Sequence, residues 1–142
     1  MLVCGVLMWL IARWTPAFDF VWLYGDAVFG FVLLVGVVLL AAGARAFFKH
    51  KTIIRPDRES LTKMSALVTT GVFRYTRNPL YLGLATLLVA WTIYLSNWLS
   101  ALGVVLFVAF ITRYQIKPEE RALEGIFGEE YVQYKQKVRR WV

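Results

Sequence analysis

Four stretches of this chain are apolar, and the charged residues are gathered into the segments between and after them. Val28–Ala44, Pro79–Leu95 and Trp98–Thr112 contain no Asp, Glu, Lys or Arg. Each is close to the ~17–25 residues that a helix needs to cross a bilayer. Met1–Ala12 is apolar too, but Arg13 closes it after twelve residues. No Lys or Arg precedes that run and no small-residue cleavage site follows it, so it reads as a short first transmembrane helix rather than a signal peptide. The expected fold is all-α, a polytopic membrane protein with about four transmembrane helices.

The polar segments add detail. Two N-terminal spans over residues 1–48 lead into a cytoplasmic loop over 49–78. Within it, Thr52-Ile53-Ile54-Arg55-Pro56 is expected to be extended, because β-branched residues and a following proline disfavour helix. Gly71 marks a turn. Asn78-Pro79 then opens the third span, Asn being a good N-cap and Pro favoured at the first helical position. Ser96-Asn97 leaves room only for a tight reversal, so residues 79–116 are expected to form an antiparallel hairpin. Pro118 is expected to start a new helix over 118–140. Leu123, Phe127, Tyr131, Tyr134 and Val138 lie three or four apart and give that helix one apolar stripe, as on an amphipathic helix at the membrane surface.

Composition and charge fix the class and the orientation. The chain is 59% hydrophobic and 18% charged, against about 25% charged in soluble domains. Eight of its 16 basic residues lie between the second and third spans and seven follow the fourth, leaving only Arg13 for the other side. The positive-inside rule then places both termini in the cytoplasm. The net charge of +7 reports topology and attraction to anionic headgroups, not nucleic-acid binding. With Cys4 and His50 the only residues of their kinds, no disulfide, zinc site or Cys-His pair is expected.

Two polar clusters return to one membrane face. At the start of the third span stand Asn78, Pro79, Tyr81 and Gly83; after the fourth stand Glu119 and Glu120. Capping, interfacial anchoring and close helix packing would account for the first group, and the helix dipole for the second. The alternative is a binding floor in which Gly83 lets a ligand approach, Asn78 and Tyr81 supply directed hydrogen bonds, and a glutamate receives polar groups of a cofactor. Arg113, Arg74 and Arg77 each stand where an arginine either snorkels to headgroups or turns inward to orient an anionic group.

Residues Leu67 to Val142 resemble the catalytic half of the superfamily of isoprenylcysteine carboxyl methyltransferases and phospholipid methyltransferases. The resemblance rests on Leu67-Val68-Thr69-Thr70-Gly71-Val72-Phe73-Arg74, then Arg77-Asn78-Pro79-Leu80-Tyr81-Leu82-Gly83, then Glu119-Glu120, then Phe127-Gly128-Glu129-Glu130-Tyr131, in that order. It implies S-adenosylmethionine as cofactor, held at the cytoplasmic helix ends, and no metal. It implies that Leu67, Val68 and Phe73 line the adenosine pocket. Asn78, Pro79, Leu80, Tyr81 and Gly83 would lie around the methionine part, and Glu119 or Glu120 would bind polar groups of the cofactor. Arg113 resembles the arginine associated with substrate orientation. Arg113 and Glu120 are the expected catalytic residues. Asn78 departs from the histidine usual in the prenylcysteine enzymes and resembles a bacterial branch of minimal four-span, inner-membrane proteins.

The reading that follows is methyl transfer to a lipophilic acceptor in the bilayer, O-methylation of a carboxylate first and N-methylation of an amine or phospholipid second. A non-catalytic scaffold for anionic lipid or a partner protein fits composition and topology but leaves the two clusters unexplained. A small proton-coupled transporter would need an acid within the membrane, and the three long apolar spans have none.

Overall fold

The computed structural model describes residues 1–20, 23–49 and 67–142, with side chains in the second helix described up to Ala46. The extended conformation expected over Thr52–Pro56 falls outside the described residues. Within them the chain is helical: α1 (Leu2–Trp14), α2 (Gly25–Lys49), α3 (Pro79–Leu95), α4 (Leu102–Ile111), α5 (Lys117–Phe127) and α6 (Glu129–Lys137), with short 3₁₀ turns between several of them. No β-strand occurs among the described residues; one isolated antiparallel bridge pairs Asp19 with Asn97.

The α2–α3 pair is the spine of the fold, and glycine makes it. A Cβ on Gly83 would lie 2.8 Å from Leu40 Cγ, 3.0 Å from the Leu40 nitrogen and 3.1 Å from the Gly36 carbonyl. Gly36 meets Leu87 and Gly43 meets Leu80 in the same way. Partners descend on one helix as they ascend on the other, so the two run antiparallel along a seam of small residues, the device by which helices approach closely in lipid. Gly83 is therefore a packing residue with α2 against it.

On the other side of α3, α1 and α4 close over a core of Met8, Ala85, Leu88 and Phe107. Gly103 admits the Met8 side chain, whose Cγ would stand 2.2 Å from a Cβ placed there. The reversal after α3 forms where the sequence puts it. Ser96 takes the left-handed conformation at φ 50°, and Asn97 caps the next turn by accepting a hydrogen bond from the Ser100 N–H. The fully buried Asn97 also donates to the Thr15 carbonyl at 2.9 Å and to Asp19 Oδ1 at 2.8 Å, tying the hairpin to the end of α1.

Gly25–Ala46 and Trp98–Phe127 are long and apolar enough to cross a membrane; α1 and α3 are shorter apolar helices. Large apolar side chains face outward from the long helices, among them Phe31, Leu34, Leu106 and Phe110, all more than 60% exposed. A continuous apolar surface of this kind marks contact with lipid or another apolar partner.

Pro118 does not begin a new helix, contrary to the sequence reading. The chain runs helically from Trp98 through a π turn, Thr112–Ile116, into α5. Proline lacks an N–H and its ring clashes with the carbonyl four residues back. The wider turn absorbs that defect, and the Lys117 N–H reaches back five residues to the Thr112 carbonyl. At ~1.5 Å per residue this rod is roughly 45 Å long, about 15 Å more than the hydrocarbon core of a bilayer. The expected single helix over 118–140 is instead two, because Gly128 (φ 52°) breaks it and α6 sets off afresh.

Candidate active site at the start of α3

The end of the chain binds the start of α3. Val138 is extended (φ −120°, ψ 130°) and ends α6, turning the last residues back across the bundle. The Arg77 N–H donates to the Arg139 carbonyl at 3.1 Å. The Arg140 carbonyl accepts from Asn78 Nδ2 at 2.9 Å and from Thr76 Oγ1 at 3.3 Å. Asn78 stands at the N-cap position of α3, yet its side chain makes no capping bond; it holds the tail instead. Pro79 is buried behind it and Leu80 is turned toward Gly43 on α2.

The two consecutive glutamates, about 100° apart on a helix, have separate partners. The Tyr81 hydroxyl donates to Glu119 Oε2 at 3.1 Å, joining the two polar clusters across the helix hairpin. Arg140 engages both oxygens of Glu120, Nε to Oε1 at 2.9 Å and Nη2 to Oε2 at 2.7 Å. Arg77 Nη1 stands 3.1 Å from Glu120 Oε1.

Environment separates the two acids further. Both lie on α5, in the charged part of the rod beyond the uncharged stretch Trp98–Thr112. Burial pushes Glu119 above the usual carboxylate range; the Tyr81 hydrogen bond opposes this and the Glu120 charge adds to it. Burial would raise Glu120 as well, but the Arg140 hydrogen bond and the charges of Arg77 and Arg140 outweigh it and hold the group below its ordinary value. A carboxylate committed in this way is a poor proton acceptor. Of the two acids, Glu119 is thus raised and Glu120 lowered.

The expected adenosine-pocket residues gather next to this cluster. Leu67 packs against Tyr131, Tyr134 and Val138. Val68 and Phe73 are buried, and Tyr134 Oη donates to the Phe73 carbonyl at 2.7 Å. Burial raises both tyrosines, Tyr131 to about 12. Arg113 stands apart: it is exposed, with its guanidinium carbon 5.9 Å from the centre of the Tyr114 ring. The sequence reading missed Arg140, which it left as the last residue of the helix expected over 118–140. The extended Val138 that returns Arg140 to the site carries no signal in helical periodicity.

Known proteins resemble this chain in sequence. The phospholipid methyltransferase family profile matches residues 26–130. An uncharacterised protein of Haemophilus influenzae is 52% identical over 63 residues, covering 44% of this chain and all of that protein. The protein-S-isoprenylcysteine O-methyltransferase of Schizosaccharomyces pombe is 32% identical over 117 residues, 81% of this chain and 48% of the relative. An Arabidopsis thaliana protein-S-isoprenylcysteine O-methyltransferase is 36% identical over 91 residues, 64% of this chain and 44% of the relative. The chain thus spans about half the length of these O-methyltransferases. With the motif residues drawn together at one end of α3 and the family profile running from α2 into α6, the chain belongs to the phospholipid methyltransferase family.

Proposed function

We propose that this chain is an integral-membrane methyltransferase that uses S-adenosylmethionine to methylate a lipophilic acceptor arriving from the bilayer. The proposed topology has four spans, with both termini and the site in the cytoplasm, in a bacterial-type inner membrane. The observation that carries the reading is the Tyr81–Glu119 hydrogen bond, which unites two motifs 38 residues apart at the end of a helix pair. When bound, S-adenosylmethionine supplies an electrophilic methyl group on a positively charged sulfur. The residues fit such a group: a buried carboxylate gains from a neighbouring cation, and the Tyr81 ring beside it offers a further face to positive charge.

In this reading Tyr81 and Asn78 position and Glu119 supplies charge. Arg140 and Glu120 hold the tail that presents the Arg140 carbonyl to Asn78. For a carboxylate acceptor no base is needed, and alignment of the two reactants is the main contribution, up to ~7–11 kcal/mol for well-oriented pairs. Amine methylation is the second reading, and the raised Glu119 favours it: a carboxylate displaced toward neutral pH is better placed to take the ammonium proton. Arg113 has a role only in a bound state that turns it from Tyr114 toward the site.

The test is transfer of labelled methyl from S-adenosylmethionine to a lipid extract by the protein in nanodiscs. Label should appear in the lipid fraction and fall at least tenfold in Glu119→Gln. Mild alkali releases it as methanol from an ester and leaves it in place on nitrogen. A folded wild type that neither binds S-adenosylmethionine nor labels lipid refutes the proposal.

A further inference from the structure

Arg77 carries a positive charge that the described fold does not use up. Its side chain is 8% exposed, and its Nε and Nη1 atoms are sealed from solvent without a hydrogen-bond acceptor among the described residues. Nη1 lies within ion-pair distance of Glu120 but not in hydrogen-bonding alignment with it. Glu120 already receives two hydrogen bonds from Arg140. One carboxylate therefore faces two guanidinium groups, so these three groups together carry a charge of +1 (two positive, one negative). Tyr131 is nearby, and burial raises its hydroxyl so that it stays neutral.

Buried donors without acceptors are rare and costly, and charged ones more so. The N-terminus of α3 begins two residues on and adds its own preference for negative charge. The other arginines at this face are differently placed. Arg113 is exposed beside Tyr114. Arg74 is exposed on a groove that also contains Glu130 and Lys137.

We infer that Arg77 is an anion-binding residue that receives a ligand carboxylate at the start of α3, its Nε–H and Nη1–H donating to the incoming oxygens. The assignment rests on the proposed methyl transfer for the identity of the ligands. Two reactants can bring a carboxylate: the amino-acid end of the methyl donor and a carboxylate acceptor.

Binding in nanodiscs distinguishes the sources. The first pair of probes is S-adenosylmethionine and its decarboxylated form; the second is N-acetyl-S-farnesylcysteine and its carboxamide. Wild type should prefer the carboxylate-bearing member of one pair by ~10–100-fold, as a charge-assisted hydrogen bond predicts. Arg77→Gln should bind both members of that pair alike, and Arg77→Lys should keep part of the preference. The pair in which the preference vanishes identifies the source. A preference unchanged in Arg77→Gln, or absent from wild type in both pairs, overturns the inference. Where Arg77→Gln fails to fold, the wild-type preference and its reduction in Arg77→Lys decide. A folded wild type that ignores both sulfonium compounds refutes the methyl-donor reading, and the second pair then decides the role of Arg77 alone.

Discussion

Arg140 holds Glu120 across the Gly128 break, with both carboxylate oxygens engaged at 2.9 and 2.7 Å. The pair closes a loop of structure: α5, the break, α6 and the returning tail are fastened to one another and to Asn78. Replacing Arg140 with alanine leaves its carbonyl in place for Asn78 but removes both hydrogen bonds from a buried carboxylate, with Arg77 alone left beside it. Arg140→Ala should lower stability by about 1–3 kcal/mol, read as a reduced unfolding temperature in nanodiscs, with Arg140→Lys intermediate. An unchanged unfolding temperature would show that the pair is not formed.

Glu120 also sets a pH dependence. Its folded-state value lies below the unfolded one, because its arginine partners outweigh burial. Its stabilising contribution is therefore complete above the unfolded carboxylate range, near pH ~4.3, and is lost as pH falls through the lower folded value. Unfolding temperature should decline on acidification below about pH 4, and less steeply in Glu120→Gln. Equal slopes for the two proteins would contradict the assignment.

Tyr81 acts on Glu119 in the opposite sense to burial. Its hydrogen bond favours the ionised acid, so Tyr81→Phe should raise Glu119 further. If amine methylation is the reaction, the acidic limb of the pH–rate profile moves to higher pH in Tyr81→Phe and vanishes in Glu119→Gln. A limb that stays in place in both variants removes Glu119 as the proton acceptor.

Gly83 tests the spine. Alanine there would press a methyl group against the Leu40 backbone nitrogen at 3.0 Å and the Gly36 carbonyl at 3.1 Å, atoms that cannot move without separating the helices. Gly83→Ala should destabilise by roughly 1–3 kcal/mol as an overpacked contact. Gly125→Ala, where a Cβ meets open space, is the matched control and should change little.

Much of the architecture is legible in local chemistry. Asn78-Pro79 opens α3, Gly71 turns at φ 65°, and Ser96-Asn97 reverses the chain, since each depends on the conformational limits of the residues involved. The meeting of the two polar clusters follows from counting apolar residues between them. Three features are invisible to such counting. A π turn preserves a run of helical residues while changing its phase, so Pro118 reads as a start. Gly83 looks the same whether a ligand or a helix approaches it. Arg140 reads as the solvated end of a helix because its partner, Glu120, is brought close only by the turn at Gly128 and the extended Val138.

The π turn at Thr112–Ile116 also determines which acid faces which partner. Each residue advances an α-helix by about 100°, and a wide turn accommodates one residue more than an α turn would. Winding 112–116 as a regular α-helix with the same residues would turn everything downstream by about 100° and carry Glu119 to the angular position now held by Glu120, away from Tyr81. The division of labour between two chemically identical side chains is thus written in the winding of the helix that precedes them, one turn upstream of either carboxylate.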